Sequence, residues 1–152
     1  MNSDFAEMLS ALFAAGVDFI IVGAHALAAH GSPRATGDLD IWVRPSLANA
    51  ERTMQALAAF GAPLFDLSAE DLTHTDTVFQ IGVPPSRIDI LAGITGVSFD
   101  DAWRRRVFVT VEGLDVAVLS KQDFVTNKQL VDRPKDRADL ALLEEAEGRG
   151  RE

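Results

Sequence analysis

Two aspartates stand one residue apart in the segment DLDIWV, residues 38–43. At the two-residue period of a strand, Asp38, Asp40 and Trp42 fall on one face and Leu39, Ile41 and Val43 on the other. Two carboxylates side by side on an otherwise apolar strand are costly to bury unless a cation joins them. Mg2+ suits that role, because it takes hard oxygen ligands from one or two carboxylates and from substrate phosphates. Taken alone, the triplet is better explained by a solvated or arginine-paired face, given 23 acidic residues in the chain. Asp89 changes that balance. It lies in RIDIL between Ile88 and Ile90, at the centre of a second expected strand. If two strands of one sheet bring it beside Asp38 and Asp40, the three form a site for two divalent ions, Mg2+ or Mn2+, that activate an attacking oxygen and steady a leaving one. The competing partner for Asp89 is Arg87, two residues away on the same face. With Asp89 on the other side of the sheet, no such site exists.

The same reading finds groups suited to phosphate. Gly23-Ala24-His25 follows the apolar run VDFIIV, residues 17–22, and opens a short helix. A helix start presents unpaired N–H groups, and a glycine there lets an anion approach the backbone. An ordinary tight turn has the same signature. Arg34 and Thr36, in the loop SPRATG before the acidic strand, are placed to neutralise phosphate charge. His25 and His30 either bond phosphate or cover the helix, and for His30 packing is preferred. Lys128 lies four residues after Phe124 and three before Val131, on the inward stripe of its helix. It faces an anion there, either the acidic site or a bound triphosphate, or it extends its head to water.

The elements that must position these groups follow from periodicity. Phe5, Met8, Leu9, Leu12 and Phe13 mark a helix over residues 4–15, stopped by Gly16. VDFIIV reads as a strand buried on both faces, AHALAAH as a short helix ending at Gly31, and DLDIWV as the acidic strand. Ser46 caps a helix to Phe60, and Gly61 ends it. TVFQIGV and SRIDIL are strands joined at Pro84-Pro85. FDDAWRRR is a short helix. VFVTV and LDVAVL form a hairpin about Glu112-Gly113. Ser120 opens a helix to Val131, and Pro134 starts a last one that fades near Glu147. The expectation is an α+β (mixed α/β) domain over residues 1–147, with one sheet, helices packed on it, a C-terminal helix pair, and a frayed tail at 148–152.

Composition narrows the partners. The chain has 152 residues, no cysteine and a net charge of −9. Disulfides and thiolate zinc sites are excluded. So acidic a chain is repelled on average by phosphate backbones. Two basic clusters, Arg104–Arg106 and Arg133/Lys135/Arg137, read best as solvated helix ends. No apolar run spans a bilayer and the N-terminus lacks a signal pattern, so the cytoplasm is the expected compartment.

In combination, FIIVGAHALAAHGSPRATGDLDIWV, RIDIL and NKQLVDRPKDRADLALL resemble the nucleotidyltransferases of the DNA-polymerase-β-like superfamily. The pattern is similar, more narrowly, to AbiEii-type toxins and their bacterial relatives, over residues 17 to 143. The resemblance implies that Asp38 and Asp40 hold the metals and that Asp89 completes the site and serves as base. It implies that Gly23 and Ala24 line the phosphate turn, that Arg34, Thr36 and Lys128 contact the nucleotide, and that Asp136 orients Lys128 or the acceptor. The family turn reads Gly-Gly or Gly-Ser, whereas this one is Gly23-Ala24, without a serine hydroxyl for phosphate. The expected activity is transfer of a nucleoside monophosphate from an NTP to a hydroxyl of RNA (tRNA included), protein or a small molecule, with release of pyrophosphate. The alternatives are a non-catalytic binding or antitoxin module of the same fold, with a toxin or antitoxin partner, and a plain interaction domain whose three aspartates lie far apart.

Overall fold

The structure is a computed structural model that describes residues 2–31 and 37–151, with side chains to Gly148. Among the described residues, six strands form one sheet in the order β3-β4-β2-β1-β6-β5. They are β1 (Phe19–Val22), β2 (Leu39–Val43), β3 (Val78–Ile81), β4 (Ile88–Leu91), β5 (Val107–Val111) and β6 (Leu114–Val118). The helices are α1 (Ser3–Ala14), α2 (Gly23–Ala29), α3 (Leu47–Phe60), α4 (Phe99–Arg105), α5 (Lys121–Val131) and α6 (Pro134–Arg151). This is the mixed α/β architecture expected from the periodicity, with α5 and α6 packed as a pair. A short 3-10 turn, Asp71–Thr73, was not apparent from sequence pattern.

Local chemistry explains where the elements begin and end. Ser46, Ser98 and Ser120 each accept a backbone N–H at the start of α3, α4 and α5. Gly61 closes α3 at φ 93°, a conformation that costs glycine nothing. Glu112 and Gly113, at φ 51° and 78°, make the tight β5–β6 hairpin. The first strand starts at Phe19 rather than Val17. The Val17 N–H is still committed to the Leu12 carbonyl at the end of α1, and Asp18 is held by Asn49. Asn49 is buried; its Oδ1 accepts from Asp18 N at 2.8 Å, and its Nδ2 donates to the carbonyls of Asp18 and Arg44 at 3.0 Å. One side chain thereby clamps the start of β1 to the end of β2. The last helix continues to Arg151 instead of fading near Glu147, and Glu147 is tied to Lys121 at the start of α5.

The sheet separates two chemistries. On one face Leu9 of α1 meets Ile21, Leu39, Val116 and Val118, an apolar layer stabilised by about 25 cal/mol per Å2 removed from water. On the other, Val22, Asp40 and Leu91 meet Phe124 of α5. Trp42, on this second face, packs edge-on against Phe99 of α4 at 5.1 Å. The acidic residues therefore stand where the core gives way to a cleft. No helix among the described residues is long and apolar enough to cross a membrane.

Candidate active site

Strand pairing brings the carboxylates together. β2 lies between β1 and β4, antiparallel to the first and parallel to the second. In those registers Asp40 is the partner of Val22 on one side and of Asp89 on the other. Cross-strand partners project to the same face, so Asp40 and Asp89 stand side by side. Asp38, two residues before Asp40 and just ahead of β2, reaches the same Arg87 guanidinium as Asp89. The plain interaction domain, with its aspartates far apart, is inconsistent with this geometry.

Three like charges in one place perturb each other. Burial, then the charges of Asp89 and Asp38, push the Asp40 carboxyl up to about 6, with Lys135 acting the other way. A side-chain hydrogen bond with Asp89 adds to the rise, since it needs a proton on Asp40. Arg87 takes the other oxygens. Its Nη2 forms an ion pair with Asp38 Oδ2 at 2.7 Å and donates to Asp89 Oδ2 at 3.1 Å, and its Nε donates to Asp89 Oδ1 at 3.2 Å. Among the described residues, no three acidic or histidine side chains are gathered for a metal ion, and Arg87 holds two of the three candidates. The donor set is nonetheless one of hard oxygens, and Asp40 stays crowded by the charges of Asp89 and Asp38 although Arg87 is paired with both of those. Those residues fit Mg2+ or Mn2+.

Gly23 makes room for this arrangement. It turns the chain from β1 into α2 at φ 70°, and a Cβ built there would lie 2.2 Å from Asp40 Oδ2. The space that lets an anion approach the turn is the space Asp40 uses. Gly23→Ala is expected to lower the melting temperature by a few degrees, from about 1–2 kcal/mol of backbone strain. It should also displace the Asp40 carboxylate. Thermal melts of the two chains check the first effect.

Beside the carboxylates lies a cleft of about 300 Å3 whose walls include Gly23, Asp40, Thr95, Asn127, Lys128 and Arg133. Lys128 is buried, and its Nζ donates to Asp136 Oδ1 at 3.1 Å and lies 3.9 Å from Asp139. Asp136, wholly buried, also accepts from Arg133 Nε at 2.7 Å and from the Arg133 N–H at 3.1 Å. Chiefly these Arg133 bonds, against burial and with help from Lys128, hold the Asp136 carboxyl well below the usual carboxylate range. Asp136 thus positions Lys128 on the cleft wall.

Other residues singled out from the sequence fall elsewhere. Ala24 follows the turn but is not on the cleft wall. His25 is turned to the opposite, apolar face, edge-on to Phe5 at 5.6 Å. Burial lowers its pKa against a hydrogen bond with the Gly37 backbone. The structure does not bring it to the cleft, because the first turn of α2 rotates it away from Gly23. His30 packs as expected, with Nε2 2.8 Å from the Leu119 carbonyl. Arg34 and Thr36 lie outside the described residues. The basic clusters are used within the fold. Arg105 forks onto buried Asp123, Arg106 stacks 3.8 Å from Trp103, and Arg104 pairs with Asp101. Arg133, Lys135 and Arg137 are exposed at the start of α6, the solvated helix end expected, but Arg133 also lines the cleft and the charge of Lys135 reaches Asp40. The RPKD spacing was the available signal for both.

These features define a nucleotidyltransferase fold, with the carboxylates on the neighbouring strands β2 and β4 of its sheet. Solved structures that share it include two nucleotidyltransferases. One is the lincosamide antibiotic adenylyltransferase LnuA, solved with lincomycin bound, at TM-score 0.60 and 13% identity over 95% of this chain and 96% of that one. The other is TM1012 of Thermotoga maritima, a candidate nucleotidyltransferase, at TM-score 0.56 and 16% identity over 99% and 93%. No family model and no curated protein sequence matches the chain, so the likeness to AbiEii-type toxins rests on the sequence pattern alone.

Proposed function

We infer that this chain is a metal-dependent nucleotidyltransferase that moves a nucleoside monophosphate from an NTP to a hydroxyl of a small acceptor. The observation that carries the reading is Asp40, paired across the sheet with Asp89, standing against Gly23 on the wall of a cleft that Lys128 and Arg133 also line. Bound Mg2+ or Mn2+ would be held by Asp40 and Asp89, with Asp38 as the third ligand, and would offset charge on the phosphates. Lys128 and Arg133 contribute positive charge to the wall along which a triphosphate lies. The acceptor oxygen bonds to the α-phosphorus as the bond to the β-phosphate bridging oxygen breaks. Pyrophosphate leaves, and the Asp40–Asp89 pair takes the acceptor's proton, Asp89 being the expected base. The chain's contribution is positioning and fixed charge.

The acceptor reading rests on a second cleft. About 490 Å3 in volume, it adjoins the first through Gly93 and Ile94 and is walled by Trp42, Val97, Phe99 and Arg44. That volume suits a drug-sized molecule. Trp42 is one strand period, about 7 Å, from Asp40 on the same face of β2, so the second cleft opens beside the carboxylates. LnuA, the neighbour solved with lincomycin, acts on a lincosamide antibiotic. The net charge of −9 weighs against RNA. In a transfer assay with α-labelled NTPs, Mg2+ and pooled small-molecule, RNA and protein acceptors, the label is expected in the small-molecule fraction. No label in any fraction with the wild-type chain, or equal label with Asp40→Asn, counts against the enzyme reading. A non-catalytic binding module is the second reading, favoured by the grip of Arg87 on Asp38 and Asp89 and by the Gly23-Ala24 turn. It predicts nucleotide or protein-partner binding that is indifferent to metal.

A further inference from the structure

Arg87 stands where a divalent ion would meet the acidic cluster. A single nitrogen, Nη2, is shared between Asp38 and Asp89, carboxylates that come from neighbouring strands. The other forked arginines differ. Arg105 and Arg133 each place their nitrogens on one carboxylate, Asp123 and Asp136 respectively, as structural pairs do. Asp123 and Asp136 are at most 3% exposed, whereas Asp89 is 11% and Asp38 27% exposed, so the carboxylates that Arg87 holds are the ones within reach of solvent. The Arg87 backbone is fixed, because its carbonyl accepts the Leu39 N–H at 3.0 Å. The guanidinium can therefore leave for water on its own stem without disturbing β2 or β4. One guanidinium offsets only one of three negative charges, so the cluster has a use for a more highly charged cation.

We propose that Arg87 is a built-in counter-cation that competes with divalent metal for Asp38 and Asp89, so that loading the site and releasing Arg87 are one event. The proposal rests on the metal reading above. It makes Arg87 a positioning residue: in the metal-free chain it keeps Asp38 and Asp89 aligned, and on loading it surrenders their oxygens. Linkage requires the competition to be reciprocal, so removing the guanidinium must strengthen metal binding.

The test is Mn2+ binding followed by electron paramagnetic resonance in the wild-type chain, Arg87→Met and Arg87→Lys, with melts confirming that each is folded. Arg87→Met keeps the stem and drops the charge, and is expected to tighten the Kd for Mn2+ by roughly 5- to 150-fold, the usual range of linked equilibria. Arg87→Lys keeps a charge that cannot fork, and is expected to fall between the two; it carries the test if the methionine variant does not fold. In the wild-type chain, Mg2+ should move the Arg87 Nε–H resonance from its hydrogen-bonded position to that of a solvated arginine. Equal or weaker Mn2+ binding in both variants overturns the proposal and leaves the metal reading standing. No Mn2+ bound by any of the three chains overturns both.

Discussion

Asp40→Asn is expected to cut nucleotidyl transfer by about 10³-fold and, in the same preparation, to melt at a higher temperature than the wild-type chain at pH 8. On the proposed reading, the loss of rate follows from removing a carboxylate that would hold cations worth several kcal/mol at the phosphates. The gain in stability follows from the strain of a crowded charge. In the folded chain, burial and the charges of Asp89 and Asp38 push the Asp40 carboxyl from 3.8 up to about 6. Between those values the folded chain holds a proton that the unfolded chain has lost. Stability therefore falls as pH rises through the window, and the whole penalty is present above pH 6. It amounts to roughly 3 kcal/mol, or about 5–10 °C. Asparagine carries no charge and escapes it. With chelator present, the variant should outlast the wild-type chain at pH 8 and match it at pH 3.5. Melting curves that differ equally at both pH values would show that Asp40 does not carry an electrostatic penalty.

Asp136→Ala is expected to act in the opposite direction. It removes the fully buried acceptor of Lys128 and Arg133 and leaves the Lys128 ammonium in the core with Asp139 3.9 Å away. Stranding a buried charge in this way costs about 3–5 kcal/mol, a drop of about 10 °C in melting temperature. Because the Asp136 carboxyl is held well below 3.8, its contribution is complete above that pH and is lost only as pH falls through the lowered value. The gap between the two chains should thus persist from neutral pH to about pH 4 and close only in stronger acid. A gap below about 1 kcal/mol at pH 7, measured by urea unfolding, would mean that Lys128 finds water or Asp139 instead.

The two effects separate what local pattern reveals from what it hides. The faces of β2 were legible because alternation is a property of neighbouring residues, and Asp40 and Trp42 do share a side. Helical spacing likewise placed Lys128 inward. The adjacency of Asp40 and Asp89 was not legible, because nothing in either segment specifies that β2 pairs with β4, in parallel, in that register. The dual grip of Arg87 depends on the same pairing; from sequence, only its bond to Asp89 was in view. His25 shows the complementary limit. Its position two residues after Gly23 suggested the phosphate turn, but two residues of helix rotation, about 200°, carry it to the other face. Arg105 and Arg106 looked like solvated charge because their partners, Asp123 in α5 and the Trp103 ring, are set by packing.

The central claim is that Asp40 and Asp89 form a cation-dependent triphosphate site, and it can be tested without knowing the acceptor. The measurement is calorimetric titration of a non-hydrolysable α,β-methylene NTP into the wild-type chain and Asp40→Asn, each with Mg2+ and with chelator. Binding by the wild-type chain only when Mg2+ is present, and none by Asp40→Asn, is the predicted result. Binding that survives chelation, or that Asp40→Asn retains in full, would contradict it.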